Sequence, residues 1–313
     1  MGHLREPSVE AIRELLATLA PDLLSEPINV LPVLDVQPAW KRAPCFVGGD
    51  HVLKICWSHE AEEPLRRQVQ LLPILSGFDA DLPTPALVAA SDDPVALLYR
   101  RIHGQPLTYD GAGALKVGER RTLAGQIAAA LRVLHGPLLL DVCERAGMRF
   151  GPPLAQATAS ELRRRLASML DDDRRDWLER TLVWVDVALA RSTRPVLLHA
   201  DFHGYNLVID DAVQLRGVLD FEGTAIGPAE FDFRYLPRQS PTLEFLDDVV
   251  TAYELGTGVA LDRDAILAWH VLTDLGDALW RTEAGVEVVA GPIGRRLDDL
   301  RSLLAVRGLP RRS

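Results

Sequence analysis

The chain has 313 residues, 48% of them hydrophobic, enough for one large domain or two lobes sharing an interface. Its ordinary globular composition excludes disordered and fibrous classes, and a formal net charge of −10 argues against general binding to nucleic-acid phosphates. Three cysteines without a CxxC pair suggest neither a zinc knuckle nor a redox motif; with a charged, amphipathic stretch over residues 1–16 and no run of ~18 apolar residues, the expectation is a cytoplasmic protein that does not span a membrane.

Ser8 is placed to cap a first helix with Ile12, Leu15, Leu16 and Leu19 on one face and Pro21 beyond its end. Residues 28–57 read as short strands, the last being His51–Trp57 after the turn Gly48-Gly49-Asp50. Lys41, Lys54 and Lys116 are the only lysines among 34 basic residues, so Lys54, centred in that apolar strand, needs a reason. An unpaired buried ammonium is costly, which points to an anionic partner; the bland alternative is an edge lysine facing solvent. A helix is predicted from about Glu63, with Leu65, Val69 and Leu72 on one face, Pro64 in its first turn and Pro73 ending or kinking it. Pro83-Thr84-Pro85 marks a loop, and Val95–Tyr99 reads as a strand.

From about residue 105 the pattern becomes mainly helical. Leu123, Ile127, Ala130, Leu131 and Leu134 share a face ending in His135-Gly136, and helices are predicted near 160–170, 174–190, 243–255, 264–282 and 292–306, with short strands over 196–222. The expected organisation is a strand-rich lobe over 1–104, a connector near 99–105, and a larger helical lobe over 105–313.

The richest segment is VLLHADFHGYNLVIDDAVQLRGVLDFEGTAIGPAEFDF, residues 196–233. Leu207–Ile209 and Leu215–Leu219 read as a hairpin turned at Asp210-Asp211, which brings Asn206 beside Asp220. An amide oxygen next to a carboxylate is a hard oxygen site suited to Mg²⁺. Asp201, five residues before Asn206, is expected to face the same space. Phosphoryl transfer asks a protein mainly for positioning and charge neutralisation, with metal ligands and one carboxylate that orients the acceptor hydroxyl and takes its proton.

His199-Ala200-Asp201-Phe202-His203-Gly204-Tyr205-Asn206 resembles the HxDxxxxN catalytic loop of the aminoglycoside phosphotransferase family, which has the protein-kinase-like fold. Asp220-Phe221-Glu222 is similar to that family's counterpart of the kinase DFG segment, and Pro228–Asp232 to the stretch whose aspartate buttresses the catalytic loop. The resemblance implies an α+β, two-lobed protein-kinase-like fold, with a small antiparallel-sheet N-lobe and a larger mainly helical C-lobe. It also implies that Asp201 is the catalytic base, that Asn206 and Asp220 bind Mg²⁺, that Lys54 contacts the phosphates of ATP or GTP, and that His199 and Asp232 are structural supports. Backbone groups near Tyr99 to Arg101 would hold the base of the nucleotide.

Two departures from the family pattern stand out. Gln68 occupies the place where the family often has a glutamate that pairs the lysine; Glu62, Glu63 or a neutral bond from Gln68 are the alternatives. The loop Gln37–Ala43 has no glycine to cradle phosphates. The acceptor is a small molecule with a hydroxyl, and a cationic one is considered because Asp274 and Asp277, on one helix face with His270 and Arg281, are candidates to grip ammonium groups; a solvated face is the alternative. His203 and Glu222 are further candidates for the acceptor site. The leading expectation is an antibiotic O-kinase acting on aminoglycosides, working as monomer or homodimer. A metabolic kinase for an amino alcohol, amino acid or sugar, a non-catalytic pseudokinase and a metal-dependent hydrolase are the competing classes.

Overall fold

The structure is a computed structural model that describes residues 8–31, 42–109, 111–191, 194–240, 242–286 and 291–310. The glycine-free loop at residues 37–43 lies almost wholly outside the described residues. The chain divides into two compact units: Met1–Pro106 with Asp141–Met148 and Asn206–Gly223, and Leu107–Leu140 with Arg149–Tyr205 and Thr224–Ser313. The first unit thus takes in two segments from beyond residue 104, so it is not one continuous stretch of chain.

In the first unit, helix α1 (Val9–Leu19) begins where Ser8 Oγ accepts the Ala11 amide at 3.2 Å. Strands β1 (Ile28–Val30), β2 (Arg42–Val47), β3 (His51–Cys56), β4 (Leu87–Asp92) and β5 (Val95–Arg100) form an antiparallel sheet in the order β1-β2-β3-β5-β4. Ile12 and Leu16 of α1 pack into a core with Cys45, Val47, Leu53, Ile55, Trp57, Ala96 and Leu98. β3 therefore lies in mid-sheet, and Lys54 cannot reach solvent along an edge.

Helix α2 (His59–Ser76) starts a turn earlier than the predicted Glu63 because Ser58 caps it, accepting the Ala61 amide at 3.2 Å. Pro64 and Pro73 lie inside it. The helix continues through both, although each proline lacks an amide to donate and its ring crowds the carbonyl four residues earlier. A second, three-stranded sheet joins β6 (Gln105–Pro106), β8 (Leu207–Ile209) and β9 (Leu215–Val218).

The second unit holds α3 (Val117–Leu134), α5 (Ala159–Leu166), α6 (Asp172–Leu189), α7 (Glu244–Thr257), α8 (Arg263–Ala284) and α9 (Ile293–Ala305), and a ribbon of β7 (Pro195–Leu198) with β10 (Ala225–Pro228). α4 (Pro137–Arg145) is a helix that periodicity did not single out. A long 3₁₀ segment, Ala229–Gln239, follows β10 and is buried along most of its length. α8 backs it: Trp269 meets Phe231 edge-on with ring centroids 5.0 Å apart, and His270 Nδ1–H donates to the Arg234 carbonyl at 2.8 Å. Among the described residues no single helix is long and apolar enough to cross a membrane; α3 and α4 meet the length and composition only as a pair bent by 43°.

Burial, with the nearby Arg238 charge next in size, pushes the His270 pKa down to about 3, the bond to Arg234 opposing this in part. Unfolded histidine titrates near 6.5. The unfolded chain therefore binds a proton that the folded chain refuses, and the stability this imidazole supports is complete above pH ~6.5 and is lost as pH falls toward 3. Denaturant unfolding between pH 6 and 4 should lose up to ~1.4 kcal/mol per pH unit through this group. His270→Asn, which keeps an N–H donor, should flatten that slope by one proton equivalent.

Candidate active site

In the first unit the site begins with a turn. Asp210 Oδ1 accepts the amides of Ala212 and Gln214 at 3.0 and 2.9 Å, closing β8 onto β9 with Leu207 opposite Val218. The Leu219 amide then donates to the Asn206 carbonyl at 2.8 Å, so Asn206 faces Leu219, one residue from Asp220. Asp220 has φ 64°, a left-handed conformation that aspartate tolerates better than most residues, and the chain leaves the strand there. Lys54 is 8% exposed and its Nζ lies 3.1 Å from Asp220 Oδ1 and 2.9 Å from Glu222 Oε1. One ammonium thus faces two carboxylates. Burial pushes the Tyr99 phenol up to about 12, with Lys54 pulling it down and Asp220 and Glu222 up, so this ring shares their field as a neutral group.

The second unit carries the loop of Asp201. Asp232, fully buried, accepts the His199 amide at 2.8 Å through one oxygen and the Ala200 amide at 2.7 Å through the other, and also lies 3.1 Å from His135 Nε2. Burial alone would raise this carboxyl's pKa; the hydrogen bond with His135 first, with the nearby Arg234 charge among the smaller causes, outweighs it and holds Asp232 below the usual carboxylate range. Ala200 sits at φ 63°. A residue with a Cβ pays roughly 1–2 kcal/mol there, offset by the bond from its amide and by Arg234 Nη2, which donates to its carbonyl at 2.7 Å.

Asp201 follows, its side chain 40% exposed, with Oδ2 3.4 Å from His203 Nε2. Tyr235 Oη donates to its other oxygen at 3.3 Å, and burial first, then the Asp201 charge, keeps that phenol protonated. The Asp201 amide donates to His199 Nδ1 at 3.2 Å. Gly204 is required by contact: an added Cβ would lie 1.9 Å from the Leu107 carbonyl oxygen.

Other residues singled out in the sequence lie in different surroundings. Gln68 is buried on α2 at 1% exposure. The amides of Arg100 and Arg101 already donate to the Ala86 and Asp50 carbonyls at 2.9 and 2.8 Å, so neither is available to a nucleotide base. Glu222 is buried against Lys54. Asp274 is 5% exposed and ion-paired with Arg238 and, at 3.0 Å, with Arg296 Nε; Asp277 lies 3.0 Å from Arg281 and 3.3 Å from Arg296. These two carboxylates are matched by arginine.

Sequence reasoning passed over His135, Arg234 and Tyr235. His135 was visible only as the end of a helix, and its Nδ1 lies 3.0 Å from Tyr253 Oη of α7. Arg234 is 2% exposed, stacked 3.8 Å from the Phe231 ring and 4.3 Å from that of Tyr235. An arginine two residues after a buried aspartate, in a run of aromatic residues, was the available signal.

The model of the "Phosphotransferase enzyme family" matches residues 45–269, most of the chain. The chain belongs to the phosphotransferase enzyme family. It is thus a phosphotransferase. Solved structures share the fold: a GDP complex of aminoglycoside 2'-phosphotransferase-IIIa (20% identity, 96% of this chain and 98% of that one, TM-score 0.72) and macrolide 2'-phosphotransferase type I (17%, 99% of each, 0.61). A third is an aminoglycoside phosphotransferase in ternary complex with ADP and hygromycin B (13%, 97% and 99%, 0.60).

The donor set of the phosphotransferase suits Mg²⁺. Among the described residues no group of three or more His, Cys, Asp or Glu forms a metal cage. Mg²⁺ is commonly held by one or two carboxylates together with substrate phosphates, and the hard oxygens of Asn206 and Asp220 are of that type.

Replacing Asp232 tests the loop's support. Asp232→Ala strands two buried amides and an imidazole, and should lower unfolding free energy by roughly 3–5 kcal/mol in denaturant titrations, against about 1 kcal/mol for an ordinary core substitution.

Proposed function

We propose that this phosphotransferase moves the γ-phosphate of ATP or GTP to a hydroxyl of a small molecule, in an Mg²⁺-dependent reaction. In this reading residues 1–104 form the nucleotide lobe and 105–313 the catalytic and acceptor lobe. The observation that carries the proposal is Lys54 buried in mid-sheet and held by Asp220 and Glu222, directly after the hairpin that Asn206 opens. A buried ammonium flanked by two carboxylates, next to hard oxygen donors, is equipment for a polyanion that arrives with a divalent cation. That fold relatives hold GDP or ADP supports a nucleotide as donor.

Each residue then has a task. Lys54 contacts the α- and β-phosphates. Asn206 and Asp220 would hold Mg²⁺, which when bound neutralises phosphate charge. Asp201, oriented by Tyr235 and His203, accepts the acceptor hydroxyl's proton at a carboxylate oxygen. His203, beside it, is placed to touch the acceptor. Asp232, His135 and Arg234 fix the loop and take no part in proton transfer.

Relatives named for aminoglycosides and macrolides support an antibiotic as acceptor. A second reading, a metabolic or weakly cationic acceptor, is favoured by the arginine pairing of Asp274 and Asp277, which leaves neither as a dedicated grip for ammonium groups.

The test is nucleotide consumption with Mg²⁺ across aminoglycosides, macrolides, amino alcohols and sugars. Asp201→Asn should lower kcat roughly 10²–10⁴-fold and leave the thermal stabilisation by Mg²⁺–ATP in place. Asp220→Ala should remove most of that stabilisation. A rate within about twofold of wild type in Asp201→Asn would contradict the role given to this carboxylate.

A further inference from the structure

We infer that Glu222 is the positioning residue for Lys54, doing from the turn after Asp220 what a carboxylate on α2 would otherwise do. The inference rests on the phosphate-binding role proposed for Lys54. It begins with what α2 has to offer. The helix buries one polar side chain of its middle turns, Gln68, whose amide carries no charge and whose Oε1 has no hydrogen-bond partner among the described residues. Its nearby glutamates are engaged elsewhere. Glu62 lies 2.9 Å from His59 Nδ1 and 3.3 Å from Arg66 Nη2, and Glu63, largely exposed, lies 4.0 Å from Arg67.

Glu222 has what α2 lacks. It is 4% exposed, with Oε1 2.9 Å from Lys54 Nζ. It sits in the 3₁₀ turn Phe221–Gly223, anchored by the fully buried Phe221 ring. Arg67 Nη1 of α2 donates to the Glu222 carbonyl at 3.4 Å. The helix therefore reaches Lys54 through the backbone of this turn.

Asp220, the other carboxylate on Lys54, is the one placed beside Asn206. Were Asp220 to turn its oxygens to a metal, Glu222 would be the carboxylate that keeps the ammonium aimed. The pairing also assigns Glu222 away from the acceptor, where sequence alone had put it.

The test is a double-mutant cycle on the full chain: Glu222→Gln, Lys54→Gln and both together. Without nucleotide, Lys54→Gln leaves the buried Glu222 carboxylate without its ammonium and Glu222→Gln takes from Lys54 the nearer of its two carboxylates, so each should lower Tm by a few degrees, and the double variant should lose clearly less than the sum. With Mg²⁺–ATP and acceptor, Glu222→Gln should lower kcat about tenfold or more, while KM for ATP and half-saturating Mg²⁺ move less than about threefold.

Additive Tm losses overturn the pairing, and an unchanged kcat overturns the positioning role. So does a kcat that excess Mg²⁺ restores, which would make Glu222 a metal ligand. If Glu222→Gln does not fold, Glu222→Asp, which keeps the charge but withdraws it by a methylene, is read in the same way. The Tm cycle needs no turnover, so a failure of the kinase reading shows separately, as absence of turnover by the wild-type chain.

Discussion

One fully buried carboxylate organises the second unit. Asp232 receives two consecutive backbone amides and the ring of His135, and those bonds hold His199 and Ala200 in a path the chain would not choose alone. The left-handed Ala200 is the sign of that constraint. Removing a charge from water costs several kcal/mol, so the arrangement persists only because every partner is supplied at once. His135 caps the end of α3, α7 contributes Tyr253 behind it, and α8 braces the 3₁₀ segment through His270 and Trp269. Asp201 is presented at the end of this chain of supports. Because the Asp232 pKa is depressed, its contribution to stability is whole above the normal aspartate range and disappears as pH drops through the folded value.

The first unit solves a different electrostatic problem. Lys54 lies in the middle of a sheet, and its ammonium is stabilised by Asp220 and Glu222, which arrive from a hairpin more than a hundred residues downstream in sequence. Two carboxylates thus converge on one ammonium from a single short turn. A short stretch of sequence equips both units: Asn206–Gly223 belongs to the first, while Asp201 and Asp232 belong to the second.

That stretch was also the most legible part of the sequence. A hairpin is a local object, so the Asp210 turn and the neighbourhood of Asn206 and Asp220 follow from alternation and turn residues. Helix faces such as Ile127–Leu131–Leu134 were equally readable, and Ser58 would have marked the start of α2 had Pro64 not drawn attention to the next turn. What periodicity cannot carry is pairing across distance. His135 and Asp232 are 97 residues apart, and Lys54 and Glu222 are 168 apart. Nothing in Gln68 itself says where its missing charge has gone. Likewise Asp274 and Asp277 occupy one helix face in sequence, but Arg238 and Arg296, which neutralise Asp274, come from other elements. Local chemistry located the site, and tertiary packing decided which charges in it are already satisfied.

The most direct measurement is a crystal structure of the chain with Mn²⁺ in place of Mg²⁺ and a non-hydrolysable ATP analogue, read at the manganese anomalous signal. The account predicts a peak bonded to side-chain oxygens of Asn206 and Asp220 and to the analogue's phosphates, with Lys54 Nζ on a phosphate oxygen. A metal seated away from both side chains, or phosphates out of reach of Lys54, would contradict it.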